Sequence, residues 1–202
     1  MRLRLPIGCA VSCLVVALST GTASATYHAF RIAEVYSNPS GTVQFIEMHE
    51  VFGFNGENFL TEAPDIKSGT HDFVFASDLP NGNTANADFL LGTSGYSALP
   101  GAPHADYTIP DHFFNPAGDS LQYGSTGPFG IVDQATFGAL PTNPTQALIR
   151  QDTSGSTFTA GPAIANTFSN GGNFAVPEPG SLGLAVLAGF ALLGRRRAGE
   201  SM

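Results

Sequence analysis

Apolar and polar residues alternate along several short stretches of the chain, and residues that favour turns separate these stretches. The first two stretches are Ala29–Tyr36 and Thr42–Phe52, and a turn at Ser37–Gly41 joins them. An alternation with a period of two places the apolar side chains on one face of a strand. The pattern therefore predicts strands, because residues 26–176 show no sustained helical period. Further strands are predicted at Asp72–Ala76, Ala87–Gly92, Asp106–Ile109, Asp119–Gly124, Ile131–Phe137 and Gln146–Arg150.

Seven to nine short strands with Gly-, Pro- and Asn-rich loops are typical of a β-sandwich or a β-barrel. A body of about 150 residues buries roughly 68–70% of its unfolded surface, which is enough for one core. We therefore predict a single all-β domain, an antiparallel β-sandwich at residues 26–172. The side chains expected inside it are Ile32, Val43, Phe45 and Phe73. The Gly- and Asn-rich residues 168–175 predict a flexible tether after it.

The charge is distributed unevenly along the chain. Residues 26–176 contain fourteen acidic and three basic side chains, a net charge of −11, whereas the other five arginines lie near the two ends. Nucleic acids and anionic lipids bind Lys and Arg, which replace their counterions. An acidic body therefore argues against nucleic-acid binding.

The first 25 residues have the features of a signal peptide. Arg2 and Arg4 precede an apolar run that includes residues 14–18, and Ala23-Ser24-Ala25 forms a small-residue cleavage site for signal peptidase. A buried N-terminal helix is the alternative. Removal of residues 1–25 would leave an exported protein that depends on its core for stability.

Both cysteines of the chain, Cys9 and Cys13, lie within this segment. A lipidated cysteine would end the apolar run and follow a Leu-like residue three positions earlier. Ala10 occupies that place before Cys13, and the apolar run continues beyond it, so lipidation is disfavoured. The mature protein is thus predicted to contain no disulfide.

The C-terminal segment combines Val176-Pro177-Glu178-Pro179 with an uncharged run at residues 181–194 and the cluster Arg195–Arg197. Fourteen helical residues span about 21 Å, less than the hydrocarbon core of about 30 Å. The run predicts a marginal transmembrane helix, and a buried helix or a permanent anchor are the alternatives. The positive-inside rule keeps both arginine-containing ends in the cytoplasm while the acidic body is translocated.

This arrangement resembles the PEP-CTERM sorting signal of Gram-negative bacteria. The resemblance rests on the Pro-Glu-Pro motif Val176, Pro177, Glu178 and Pro179, the short apolar helix, and Arg195, Arg196 and Arg197. It implies recognition by an exosortase, a membrane-embedded protease that cuts near the motif. The body is then released or transferred to the cell surface or to an extracellular polymer.

Residues Arg31–Met48 resemble the beginning of a lamin-tail domain, which has an immunoglobulin-like fold. The likeness rests on the strands Ile32–Val35 and Phe45–Met48, and Leu79–Leu99 and Pro116–Gly124 are similar to later parts of such proteins. The usual Trp-containing element is missing, because the chain has no Trp. The resemblance implies a mostly adhesive or scaffolding module without chemistry of its own.

Glu47 and His49 fall on one face of a predicted strand and could begin a metal site, since carboxylate and imidazole suit zinc. The spacing identifies no third ligand. A row of solvent-facing side chains is the alternative.

A second group of candidates is His104, Asp106, Asp111 and His112. They could bind a metal or act as acid and base, or form local backbone hydrogen bonds in turns. Gly92–Gly95 lacks the Lys of a phosphate-binding loop and predicts a turn between strands. The sequence contains no G-x-S-x-G motif. We therefore assign no catalytic, metal or cofactor site.

The predicted organisation is a signal peptide at 1–25, a β-sandwich domain at 26–172, and a tether with the sorting signal at 173–202. The favoured function is a non-enzymatic surface or matrix protein that binds an extracellular polysaccharide or a surface protein. The expected processing partners are signal peptidase and exosortase, with membrane contact through the C-terminal helix before cleavage. The alternatives are a small secreted metal-dependent hydrolase and a permanently anchored surface protein.

Overall fold

A computed structural model of the protein describes residues 26–62, 64–125, 129–169 and 174–176. Within these ranges the chain is all-β, with twelve strands, one four-residue α-helix, α1 (Ser94–Ser97), and one 3₁₀ turn at Leu60–Glu62. The strands are β1 (Phe30–Ser37), β2 (Gln44–Glu50), β3 (Asp65–Lys67), β4 (Asp72–Val74), β5 (Asp88–Thr93), β6 (Tyr107–Ile109), β7 (Asp119–Tyr123), β8 (Asp133–Phe137), β9 (Gln146–Arg150), β10 (Phe158–Pro162), β11 (Ile164–Ala165) and β12 (Phe174–Ala175).

The strands form a six-stranded sheet in the order β10-β9-β1-β2-β5-β6 and a four-stranded sheet in the order β4-β3-β7-β8. β11 and β12 form a separate two-stranded sheet. Neighbours are antiparallel apart from the parallel pair β5-β6. Each of the eight predicted strands overlaps an observed strand, so the prediction of an all-β fold is confirmed.

The main core lies between the two large sheets, which makes the body a β-sandwich. Buried side chains from both sheets form one cluster, and aromatic rings within it meet edge to face, as Phe75 and Tyr107 do at 4.8 Å between ring centres. Ile32 is fully buried in this cluster, as predicted, and Phe73 is partly buried against it. Other members include Phe30, Val35, Ile46, Met48, Phe89, Leu91, Leu121, Tyr123, Ala135 and Phe137.

A second, smaller core lies on the outer face of the six-stranded sheet. Phe45 is fully buried there, stacked on Tyr36 with 5.2 Å between ring centres, and Val43 packs against the same cluster. Our prediction that Phe45 and Val43 lie inside the sandwich was therefore wrong in its choice of face. Phe45 and Ile46 are adjacent and both buried, because this sheet is covered on both faces.

The outer core is covered by α1 and by a segment that we call the strap, residues 163–169 and 174–176. Within the strap β11 pairs antiparallel with β12, and Ala163, Ala165 and Val176 are buried. Residues 170–173 of the predicted flexible tether at 168–175 lie outside the described residues; of the others, Phe174 pairs with Ala165, Ala175 pairs with Ile164, and Phe168 packs against the main core.

A buried ion pair connects the two large sheets. Arg150 Nη1 of β9 lies 2.6 Å from Asp133 Oδ2 of β8, and both side chains are almost wholly buried. The same carboxylate oxygen accepts a hydrogen bond from the Ile32 N–H at 2.8 Å, beside the register shift in β1. One carboxylate thus joins three strands.

We expect Phe45→Ala to lower the free energy of unfolding by about 3 kcal/mol, the lower end of the range for a buried Phe. The removed ring leaves a cavity beneath the strap, and the single strap segment is able to close part of it. Chemical denaturation of the body measures the loss. A change below about 1 kcal/mol would contradict the burial of this ring.

Candidate functional site

The first candidate is the point where the strap leads into the Pro-Glu-Pro segment. Val176 is only 4% exposed and its N–H donates to the Ala163 carbonyl at 3.1 Å. The next residue in the chain is Pro177. The remaining predicted sorting residues, Glu178, Pro179 and Arg195–Arg197, lie outside the described residues together with Pro177, as do Ala23 and Ala25 of the predicted signal cleavage site.

Three carboxylates hold the strap on the outer face of the six-stranded sheet. Glu34 Oε1 accepts the Ile164 N–H at 2.9 Å and Glu47 Oε2 accepts the Asn166 N–H at 2.7 Å. Asp106 Oδ2 accepts the N–H of Phe168 at 3.0 Å. The donors are alternate residues, as expected of an extended segment that presents every second N–H to one side.

Burial shifts the proton affinity of all three carboxylates. It raises the pKa of Glu34 to about 8, and the negative charge of Glu47 adds to the shift. It raises the pKa of Glu47 to about 7, with a further contribution from Asp88. Burial likewise raises the pKa of Asp106, against the opposing effect of its hydrogen bonds from Phe168 and Leu90. These groups therefore exchange protons at higher pH than ordinary carboxylates.

Glu47 and His49 share the outer face of β2, as the period of two predicted. The structure gives them separate partners, because His49 Nδ1 lies 2.6 Å from Asp88 Oδ1 while Glu47 bonds to the strap. The hydrogen bond with Asp88 raises the pKa of His49. Among the described residues no three His, Cys, Asp or Glu side chains are grouped so that they could hold a metal ion.

The predicted cluster of His104, Asp106, Asp111 and His112 is divided in the fold. His104 and Asp106 line a cavity of about 390 Å³ that is also bordered by Ser77–Pro80 and by Thr167 and Ser169 of the strap. His112 lies instead at the turn between β1 and β2, where its N–H donates to the Gly41 carbonyl at 2.8 Å. Asp111 is exposed beside it.

Gly92–Gly95 contributes to a helix cap, which corrects the predicted turn between strands. The Thr93 side chain accepts the Tyr96 N–H and caps α1. Gly95 faces the carbonyl of Thr42 so closely that no Cβ fits there. This close approach explains why the position requires Gly.

An exposed aromatic pair near the start of β1 was not predicted from the sequence. Phe52 and Phe54 are 51% and 50% exposed, and their rings stack with 5.7 Å between centres. The Arg31 guanidinium lies 5.2 Å from the centre of the Phe52 ring. We call Phe52, Phe54 and Arg31 the aromatic platform. Two Phe residues in a Gly- and Asn-containing loop were the sequence signal, because such a loop offers no strand face on which to bury them.

Comparison with known protein families gives one assignment. Residues 175–197 match the PEP-CTERM protein-sorting motif. The chain carries a PEP-CTERM sorting motif. This finding supports an exported protein that is directed to an exosortase and processed at the membrane. No curated protein and no solved structure matches the chain significantly.

The PEP-CTERM motif begins inside the described fold. Its first two residues, Ala175 and Val176, belong to the strap, where Ala175 pairs with Ile164. In the part of the chain that the structure describes, no helix is long and apolar enough to span a bilayer. The transmembrane helix predicted at residues 181–194 lies beyond that part.

Proposed function

We propose that the protein is exported, cut by exosortase near Pro177–Pro179, and displayed at the cell surface or in the extracellular matrix, where its body acts as a non-enzymatic binding module. The match of residues 175–197 to the PEP-CTERM motif supports the route. The lamin-tail resemblance of Arg31–Met48 supports the role of the body, because that family is mostly adhesive or scaffolding.

The observation that carries the binding role is the aromatic platform. The two rings stack on each other with 27° between their planes, and each leaves about half of its apolar surface exposed to the solvent. Aromatic side chains combine a large apolar area with little flexibility and dominate binding energies where they are exposed at a site. Exposed aromatic surface of this kind suits the apolar face of a sugar ring, and the acidic body disfavours an anionic polymer. We therefore propose an uncharged extracellular polysaccharide as the ligand.

The placement of the acidic residues supports a role without catalysis. Glu34, Glu47 and Asp106 accept backbone N–H groups of the strap, and Asp133 pairs with Arg150. These carboxylates are thereby occupied in holding the fold together. The proposal accordingly assigns no cofactor and no catalytic residue.

A Phe52→Ala/Phe54→Ala double variant is expected to bind its polysaccharide roughly 30-fold more weakly, the loss that corresponds to a 2 kcal/mol hot spot. Both rings are half-exposed, so the variant should remain folded. A glycan array with the wild-type body identifies the ligand, and titration compares the variants. Val74→Ala removes a similarly exposed apolar side chain from β4 and serves as the matched control, with unchanged affinity.

Unchanged binding by the double variant would contradict the role of the platform. Substrate turnover in a hydrolase screen, lost in His49→Ala or His112→Ala, would contradict the non-enzymatic role. That result would favour the secreted hydrolase.

A further inference from the structure

The strap depends on the folded sheet for its position. Its three N–H donors, Ile164, Asn166 and Phe168, bond to carboxylates from β1, from β2 and from the residue before β6. These carboxylates come together only when the six-stranded sheet has formed. At its start the strap is joined to the body again, since the Ala163 N–H donates to the Thr145 carbonyl at 2.8 Å.

The C-terminal side of the strap includes the start of the sorting motif. Ala175 is the cross-strand partner of Ile164, and the Val176 N–H bonds to the Ala163 carbonyl. Phe174 meets the edge of Tyr96 with 6.2 Å between ring centres. Val176, immediately before Pro177, is therefore held by a backbone hydrogen bond and by apolar contacts.

A protease that takes its substrate as an extended strand needs the backbone groups on both sides of the cut. The N–H of Val176 is already engaged with the Ala163 carbonyl, and the Val176 side chain is buried within the strap. We propose that the docked strap withholds the sorting motif from the membrane protease, and that cleavage requires the strap to open. This inference rests on the proposed exosortase processing and adds a control that the body exerts over it.

The buried carboxylates make this opening depend on pH. In the open state Glu34 and Glu47 return to water, where the pKa of a Glu is about 4.5, whereas the docked state holds them at about 8 and about 7. Between these pH values the protein therefore binds more protons when the strap is docked than when it is open. Its stability is complete below about pH 4.5 and is lost as the pH rises toward 8.

The other titratable groups around the strap do not reverse this direction. His49 has a raised pKa, chiefly through its bond to Asp88, and its positive charge near Glu47 is lost as the pH rises. Burial raises the pKa of Tyr36 and of Tyr96, so both stay neutral. The strap itself contains no ionisable side chain at residues 163–169 and 174–176.

The processing arm of the test joins β11 to β12 with a disulfide, so that the residues before Pro177 stay paired within the strap even when the strap leaves the sheet. Ile164→Cys/Ala175→Cys places two cysteines directly opposite each other in β11 and β12. In the native host, intact-mass measurement should find this variant uncut, and a reductant in the medium should restore cutting. The wild type and each single Cys variant, with and without reductant, are the controls and should all be cut.

The pH arm measures hydrogen exchange of the strap amides in the full chain in detergent, corrected for the intrinsic exchange rate. From pH 6 to pH 8 the opening of the wild-type strap should increase roughly 500-fold, because Glu34 and Glu47 are ionised over this range when the strap is open but hold protons over much of it when the strap is docked. Glu34→Gln/Glu47→Gln keeps both oxygen acceptors without the charge, and should reduce this increase at least tenfold.

Three results would overturn the inference, and they differ from one another. Cutting of the disulfide-locked variant at the wild-type rate contradicts the control by the strap while leaving the proposed processing intact. Strap opening that does not change between pH 6 and pH 8 contradicts the role of the carboxylates. A wild type that is never cut contradicts the proposed processing and, with it, the inference.

Discussion

The Asp133→Ala variant should lose about 3–5 kcal/mol of unfolding free energy, the cost of removing one partner from a buried ion pair. The substitution leaves the almost wholly buried Arg150 guanidinium without its buried carboxylate, and the partly exposed Asp152 remains, 3.5 Å from Nε. It also leaves the Ile32 N–H without an acceptor at the register shift in β1. Urea denaturation followed by circular dichroism measures the loss.

A matched control for this variant is Asp72→Ala, which removes a carboxylate 3.5 Å from Lys67 at the surface. Exposed pairs contribute little, so this control should leave the unfolding free energy almost unchanged. An Asp133→Leu/Arg150→Met double variant should recover part of the loss, because it removes both charges together. A cost for Asp133→Ala below about 1 kcal/mol would show that the ion pair does not hold the sheets together.

Replacement of Pro177-Glu178-Pro179 by three alanines should block processing, so that full-length precursor accumulates in the membrane fraction. The prolines fix φ near −65° and keep the residues before them extended, a form that a protease can accept as a strand. Alanines remove this restriction and the motif while leaving the apolar run and the arginines in place. Cell fractionation followed by intact-mass measurement detects the accumulated precursor.

The companion variant replaces Arg195–Arg197 by Gln and tests a different step. Without the cytoplasmic charges the short helix should slip through the membrane, so uncut precursor should appear outside the membrane fraction. Cutting of the Pro177–Pro179 variant at the wild-type rate would contradict recognition of the motif.

Strands such as β6 and β8 could be predicted because they are covered on one face and follow a period of two. The prediction failed where this pattern is absent. β3 has only three residues, Asp65–Lys67, and β10 contains Gly161 and Pro162, which local sequence assigns to loops. β2 ends at Glu50 rather than at the predicted Phe52, because the Glu50 carboxylate accepts the N–H groups of Phe52 and Gly53 and turns the chain.

The outer core and its strap could not be predicted from alternation alone. A period of two tells which residues share a face, but it does not tell which face meets the second sheet. Phe45 was therefore assigned to the wrong core. The partners of the strap are also far apart in the sequence, since Glu47 and Asn166 are 119 residues apart, and no local pattern connects them.

In the candidate sites, too, the local sequence predicted which residues share a face but not which partners they bind. The shared face of Glu47 and His49 follows from their spacing, but their different partners, Asn166 and Asp88, do not. Acidic residues within otherwise apolar strands, such as Glu34 and Glu47, were the available signal for buried carboxylates. The sorting motif, by contrast, is contiguous in the sequence, so it could be identified without the fold.

The central claim is that the folded body is delivered by a C-terminal segment that is then removed. Intact-mass measurement of the wild-type protein from its native host tests this claim most directly. We expect a mature species that begins after Ala25 and ends near Pro177–Pro179, without the apolar run and the arginines. A mature species that still carries Arg195–Arg197 would contradict the account and would show that the segment is a permanent anchor.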